Sequence, residues 1–292
     1  MIFATDVHEP EAPVCLPDGT LLCTEMAPDR GCVSHLSVDG KSKRIIATTG
    51  RPNGLAVDRA GFIWVAESKT PALLRLTFDG KVETILTECA GERFLFPNDL
   101  AFGPDGALYM TDSGILKVEF SPGSRLRDDW DTVPIDGRVY RIDTRTRQIR
   151  RLDHGFRFAN GIAFDSAGNL YVNETLTGNV YRYDAQGDGA FGPRQVFGNV
   201  VDPTGQGYRG PDGMKFAADG KLYCAVFGQG DVTVLGTDGT LVRRIKLAGR
   251  RPTNVAFGLA GQHRIYVTEV EHGQIETFEV ETDGLPLLNG AA

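Results

Sequence analysis

The sequence predicts an all-β fold, a six-bladed β-propeller with four antiparallel strands per blade. Three observations predict it. One phrase recurs six times along the 292 residues, each copy carries a glycine in nearly fixed register, and each has a second strand that is mostly an uninterrupted apolar run. A repeat period of roughly 40 to 50 residues is the mark of propellers and solenoids, whose units cannot bury an apolar face alone.

The copies are "PEAPVCLPDGTLLCTEM" (10 to 26), "RPNGLAVDRAGFIWVAES" (51 to 68), "FPNDLAFGPDGALYMTDS" (96 to 113), "FANGIAFDSAGNLYVNET" (158 to 175), "GPDGMKFAADGKLYCAVF" (210 to 227) and "RPTNVAFGLAGQHRIYVTEV" (251 to 270). Near the start of each stands one polar residue: Glu11, Asn53, Asn98, Asn160, Asp212 and Asn254, spaced by 42, 45, 62, 52 and 42 positions. Eight residues later come Gly19, Gly61, Gly106, Gly168 and Gly220; in the sixth copy Gly261 comes after seven. Glycine there supplies the positive φ of a tight turn, so each copy reads as a β-hairpin.

The first strand sets a small residue between two large ones, as in Leu55-Ala56-Val57 and Ile162-Ala163-Phe164. The second is apolar throughout, as in Ile63-Trp64-Val65 and Leu170-Tyr171-Val172, which reads as a strand buried on both faces. Further strand-like segments such as "ALLRLTF" with "KVETIL", and "NVYRYDA" with "PRQVFG", complete four strands per unit. A single domain over residues 1–292 is expected. The two long spacings hold insertions, 114 to 137 and 198 to 210, and loops on a rigid scaffold are where specificity resides.

A hydrophobic content of 41% supports a sizeable core, and a net charge of −7 argues against a nucleic-acid surface. Arg147, Arg150 and Arg151 form the densest basic cluster and read as a solvated strand end. No run of 18 apolar residues predicts a membrane span, and the opening "MIFATDVHEP" lacks the pattern of a secretory leader. Five scattered cysteines without C-x-x-C spacing predict neither a disulfide framework nor a thiolate site; they read as buried reduced thiols in a cytoplasmic protein.

In a propeller the six polar positions converge on the mouth of the central channel. Glu11 and Asp212 confined there repel, and one would be forced to protonate unless a divalent cation removed the cost. The donors are hard oxygens without thiolate or imidazole, which suits calcium, magnesium or manganese and leaves zinc and iron(II) open. Asparagines at strand starts also cap turns through side chain to backbone bonds, the reading given to Asn53 and Asn254. Fourteen residues after the ring position a second acidic register appears: Glu25, Glu67, Asp112 and Glu174, with Val226 breaking it and Glu269 displaced by one. These acids either act electrostatically on the ring or accept backbone N–H bonds between neighbouring blades.

With Glu11-Ala12-Pro13, Asn98-Asp99, Asn160-Gly161, Pro211 to Met214 and Pro252 to Gly258 in order, the chain resembles the regucalcin and gluconolactonase (senescence marker protein) family of metal-dependent six-bladed propellers, related to diisopropyl fluorophosphatase. The resemblance covers nearly the whole chain. It implies a metal held by Glu11, Asn160 and Asp212, with Asn98 as a fourth ligand or as a group that meets substrate through a bound water. It also implies calcium or zinc as the ion and hydrolysis of a lactone, commonly of a sugar acid, as the reaction. Two residues depart from the pattern: Phe96 stands where sugar-binding members often carry Arg, and Ala12 where they carry Gly. Phe94, Phe96, Phe156, Phe158 and Tyr208, two or four residues before ring positions, suit either an apolar pocket wall for a less polar lactone or ester, or filling between blades.

The expected chemistry is attack of water on a metal-polarised lactone carbonyl, with Asp212 as general base because it is the ring's only aspartate. Asp99 and His272 are alternatives; no registered Ser-His-Asp arrangement is present, and His154 and His272 read as surface residues. Asn98, Phe96, Asp99, Phe158 and Tyr208 are the expected substrate contacts. Hydrolysis of a phosphotriester or phosphofluoridate at the same site and non-catalytic ligand binding are the rival functions, with a lyase-type propeller behind them. No nucleic acid and no membrane is expected as a partner, only a small lactone or ester.

Overall fold

The computed structural model describes residues 1–290. Six antiparallel sheets of four strands succeed one another around a central axis. Each blade opens with its innermost strand: Pro10–Cys15, Pro52–Val57, Pro97–Phe102, Ala159–Phe164, Gly210–Phe216 and Pro252–Phe257. All six ring residues lie on these strands, and the turn glycines adopt φ between 76° and 84° as the hairpin reading requires.

The second strands are Leu21–Glu25, Ile63–Glu67, Leu108–Asp112, Leu170–Glu174, Leu222–Phe227 and Arg264–Glu269. Their uninterrupted apolar character has a direct cause, since each blade packs a neighbour on both sides. Six apolar clusters result, one per blade interface. Leu22, Val33, Leu55 and Val65 join blades 1 and 2; Trp64, Leu73, Leu108 and Tyr140 join blades 2 and 3; Leu21, Cys23, Tyr266 and Ile275 join blades 1 and 6. The cysteines are unpaired, four of them buried in this packing, as expected of reduced thiols.

The closure of the circle was not visible in the repeat. Blade 6 supplies only three strands from its own copy, and its outer edge is the N-terminal strand Ile2–Thr5, paired antiparallel to Gln274–Glu279. This ties the N-terminal strand that precedes the first blade into the last and covers the edge of Gln274–Glu279. The insertion 114–137 carries a short helix, Lys117–Phe120, and a 3-10 turn, Pro122–Ser124. The second insertion begins later than the sequence suggested, because Gln195–Asn199 is the outer strand of blade 4; a small hairpin, Ala185–Gly187 with Ala190–Phe191, adds to that blade's length. No helix is long and apolar enough to cross a membrane.

Every innermost strand breaks register with its partner around the ring position, between Glu11 and Val14, Pro52 and Leu55, Pro97 and Leu100, Ala159 and Ile162, Pro211 and Met214, and Pro252 and Asn254. A bulge frees a residue from the ladder and re-aims its side chain. Here it occurs where the strands crowd the axis. A Cβ on Gly161 would lie 2.3 Å from the Asp212 carbonyl oxygen, and one on Gly213 would lie 1.8 Å from Asn254 Cγ, so blade 4 meets the backbone of blade 5, and blade 5 meets the Asn254 side chain of blade 6, at positions that tolerate no side chain. At the far end of the channel, where the strands turn, a cavity of about 880 Å³ is lined by Leu16, Val57, Phe102, Phe164 and residues 283–289. The C-terminal segment spans that mouth: Leu285 N–H donates to the Phe216 carbonyl of blade 5, and Arg59 N–H of blade 2 donates to the Asn289 carbonyl.

Gly161→Ala is expected to destabilise the protein by about 1–3 kcal/mol through overpacking against blade 5. Urea unfolding of the variant beside the parent checks this, and an unchanged midpoint would contradict the close approach.

Candidate metal centre and active site

Bulge and blade packing bring Glu11, Asn98, Asn160 and Asp212 to one end of the channel. The two asparagines are fixed by their amide nitrogens: Asn98 Nδ2 donates to Ser113 Oγ at 2.9 Å and Asn160 Nδ2 to Thr175 Oγ1 at 3.1 Å. The hydroxyls are themselves oriented, since Ser113 donates to the Ala159 carbonyl and Thr175 to the Pro211 carbonyl, each in the next blade. The amide oxygens are left over. Asn98 Oδ1 and Asn160 Oδ1 are both buried and accept no hydrogen bond. A buried acceptor without a partner costs about 1–3 kcal/mol, so two at one place point to a ligand that both would hold.

The carboxyl groups carry the same message. Burial first, and then the neighbouring Asp99 charge, push the Glu11 carboxyl up to about 8 against the opposition of the Ala12 N–H, Asn254 and Lys215. Asp212 is raised well above its ordinary range by burial first, then by Glu11 and Asp99, against Asn160 and Arg51. Asp99 is likewise raised by burial, with Lys215 opposing. These acids face one another with too little water to ionise together.

Among the described residues no three His, Cys, Asp or Glu groups form a cation site by themselves. The fit for a cation instead rests on a mixed set, two carboxylates and two orphaned amide oxygens. All are hard donors of the kind calcium takes from carboxylates and Asn carbonyls.

Supporting residues that sequence reasoning missed lie one position either side of the acidic register. Thirteen residues after the ring position, Thr24 donates to the Asn53 carbonyl at 2.8 Å and Thr111 to the Asn160 carbonyl at 2.6 Å, while Asn173 Nδ2 donates to the Asp212 carbonyl. Fifteen residues after it come Ser113 and Thr175. A signal was present in the recurring Thr-Glu, Thr-Asp-Ser and Asn-Glu-Thr at strand ends. The acids between them do accept backbone N–H bonds, but from the loop that feeds their own blade rather than from a neighbour: Arg51 N–H to Glu67, Phe96 N–H to Asp112, Arg157 N–H to Glu174 and Arg251 N–H to Glu269. Asn254 does more than cap its turn. Its Oδ1 accepts the Val255 N–H, and its Nδ2 donates to Glu11 Oε1 at 3.1 Å.

The expected substrate contacts separate. Asp99 lies one residue further along the axis, 1% exposed, with its oxygens accepting the Leu100 and Ile162 N–H groups, so it bridges blades 3 and 4 below the mouth. Phe96 and Phe158 pack edge to face at 5.7 Å beneath the insertion, with Ile115, Phe120 and Val133. Tyr208 edges this cluster against Phe120 and Trp130, and its phenol is pushed up by burial and by Asp212 beside it. Phe94 and Phe156 fill blade interfaces instead. His272 and His154 are exposed surface residues, which leaves His272 out of the site.

The SMP-30/Gluconolactonase/LRE-like region matches residues 10–271. The chain belongs to that family. It is 31% identical over 243 residues to diisopropyl-fluorophosphatase of Loligo vulgaris, covering 80% of this chain and 74% of that protein. It is 27% identical over 282 residues to a gluconolactonase of Zymomonas mobilis, covering 89% and 76%. Its fold matches that of a calcium-binding protein, regucalcin, from Agrobacterium tumefaciens, with a TM-score of 0.74, 20% identity and coverage of 99% and 94%.

Two outcomes are expected from the geometry. Thr175→Val, which unfastens the Asn160 amide, should weaken calcium binding about tenfold to hundredfold in a calorimetric titration while the far-ultraviolet dichroism stays unchanged. Without metal the folded Glu11 titrates near 8 against an ordinary 4.5. The folded chain therefore keeps a proton that the unfolded chain has lost in this window, and its stability falls as pH rises through it. Protons and cation compete for the same oxygens, so the rise in melting temperature on adding calcium should be larger at about pH 8 than at about pH 5.5. A pH-independent increment would sink this reading.

Proposed function

We propose that this protein is a metal-dependent hydrolase that opens a lactone ring. The observation that carries the reading is the pairing of Glu11 and Asp212 with the unpartnered Asn98 and Asn160 oxygens, all at one channel mouth. Glu11, Asn160, Asp212 and Asn98 would hold one divalent ion, calcium foremost, with zinc, manganese, magnesium and iron(II) to be separated by metal analysis. When bound, the ion supplies Lewis-acid polarisation of the lactone carbonyl.

The remaining work falls to the chain. With the ring's charge balanced, Asp212 is a carboxylate, and it takes one proton from the water whose oxygen adds to the carbonyl carbon. On collapse the ring C–O bond breaks, and the same proton passes from Asp212 to the leaving alkoxide, giving a hydroxy acid. Asn98, held by Ser113, is placed to orient the carbonyl, and Asn254 keeps Glu11 in position. Phe96, Phe158 and Tyr208 form the apolar side of the mouth, where they exclude water and suit a lactone less hydroxylated than a sugar acid's. The C-terminal segment across the far end leaves the ring face as the route for substrate.

A second reading, hydrolysis of a phosphofluoridate or phosphotriester on the same residues, is favoured by the 31% identity to diisopropyl-fluorophosphatase. A pH-stat panel of lactones and phosphotriesters, run with and without chelator, separates the two. Lactone turnover lost on chelation and restored by metal is the expected result; turnover of phosphotriesters alone would replace the first reading with the second. Asp212→Asn should lower kcat by at least about a hundredfold without unfolding the protein, and near-normal turnover would remove Asp212 from the base role.

A further inference from the structure

The mouth carries two cations that the chemistry above does not use. Arg51 stands two residues before Asn53, in the loop feeding blade 2, and Lys117 stands on the short helix of the insertion between the second and third strands of blade 3. The Arg51 guanidinium lies over the Phe96 ring, 5.4 Å from its centre, and donates through Nη1 to Ser68 Oγ at 3.0 Å. Lys117 Nζ donates only to the Ser121 carbonyl at 3.3 Å. Among the described residues neither cation has a carboxylate within ion-pair distance.

Both are part-buried and both are destabilised in their charged form. Burial lowers the Arg51 guanidinium, while Glu9, Glu67, Asp212 and Glu11 oppose the fall. Burial also lowers Lys117, the Arg51 charge lowers it further, and Glu9 opposes. Glu67 is already spent on the Arg51 and Lys69 N–H groups and the Thr49 hydroxyl, and Glu9 is a single charge facing two. Phe96, on whose ring Arg51 rests, packs with Ile115 and Phe120, which flank Lys117, so the two cations stand at one place with Glu9 as the acid that acts on both, and a bound anion there would balance the second charge.

We propose that Arg51 and Lys117 receive a carboxylate on the substrate, so that the lactone opened here carries an anionic group beside its ring. This rests on the lactonase reading and names its substrate class. A carboxylate is favoured over a phosphate because the same region holds Glu9, Glu11 and Asp212, which repel a dianion more than a monoanion. The planar guanidinium offers a paired set of N–H donors and the ammonium adds a point charge. Phe96 beneath the guanidinium fixes its plane.

The test separates anion binding from turnover. Pyroglutamate, a lactam that resists ring opening, and its neutral amide are titrated by calorimetry into the metal-loaded full-length protein. Then 5-oxotetrahydrofuran-2-carboxylate and its methyl ester are compared as lactone substrates by kcat/KM. We expect at least about a tenfold preference for the carboxylate member of each pair, lost in Arg51→Gln and in Lys117→Gln and partly regained in Arg51→Lys. Equal binding of pyroglutamate and its amide by the parent, or a preference that survives both Gln substitutions, would overturn the proposal. A binding preference without turnover of either lactone would uphold the anion site and overturn the lactonase reading instead. Lys117 lies on the insertion, outside the blade packing, so its variant keeps the test readable should Arg51→Gln fail to fold.

Discussion

The structure depends on how closely six inner strands approach one axis. Backbone meets backbone where Gly161 faces the Asp212 carbonyl, and Gly213 backbone meets the Asn254 side chain, so neither position has room for an added Cβ. Under that constraint the carboxyl groups of Glu11, Asp99 and Asp212 cannot all be ionised, and the Asn98 and Asn160 oxygens cannot be paid back by water. Lys215, which faces Glu11 and Asp99, offsets part of the negative charge from within the chain. What remains uncompensated lies at the mouth, on Glu11, Asp212 and the two amide oxygens. This is the unmet electrostatic need that a bound cation would answer.

Holding donors in that state takes a dedicated frame, and the second strand of each blade supplies it from its last residues. In blade 3, Thr111 fastens the Asn160 carbonyl of the next blade, Asp112 gathers the N–H groups of its own feeding loop, and Ser113 fixes the Asn98 amide. In blade 4, Asn173, Glu174 and Thr175 repeat the three tasks. The donor geometry is therefore set by rigid strand ends, which is what holds a site to the fraction of an ångström that catalysis needs. Blade 5 lacks this triplet, with Ala225, Val226 and Phe227 in its place, yet contributes Asp212 through bonds received from blade 4.

Most of the fold could be read from the sequence because hairpins are local and their register repeats. The ring was readable for the same reason: equal spacing from a turn glycine places Glu11, Asn98, Asn160 and Asp212 at equivalent points of successive blades. The pairing of Ile2–Thr5 with blade 6 was not, since it joins opposite ends of the chain and belongs to no copy of the repeat. The direction of the acidic bonds also escaped, because spacing places Glu67 near both its own feeding loop and the next blade, and only the loop's path decides. Phe94 and Phe96 show the same limit. Two residues apart, they end in different places, one in the interface of blades 2 and 3 and the other under the insertion. Arg51 and Lys117 gave no signal at all, being brought together by two loops of unrelated sequence.

A near-symmetric scaffold has in this way become an asymmetric site. Blades 3 to 5 present Phe96, Phe158 and Tyr208 as an apolar flank of the mouth, while blades 1 and 2 present Glu9 and Arg51 as a charged flank that meets it where the guanidinium rests on Phe96, with Lys117 added from the insertion. The oxygens at the centre are common to both sides and carry no information about what flanks a scissile carbonyl. On the proposed lactonase reading, selectivity would come from the flanks. The insertion contributes to each of them, Phe120 to the apolar side and Lys117 to the charged one, from a helix of four residues. A change in that one segment would alter which group is accepted on either side while leaving the central oxygens, fixed by strand ends of blades 3 and 4 and by Asn254, where they are.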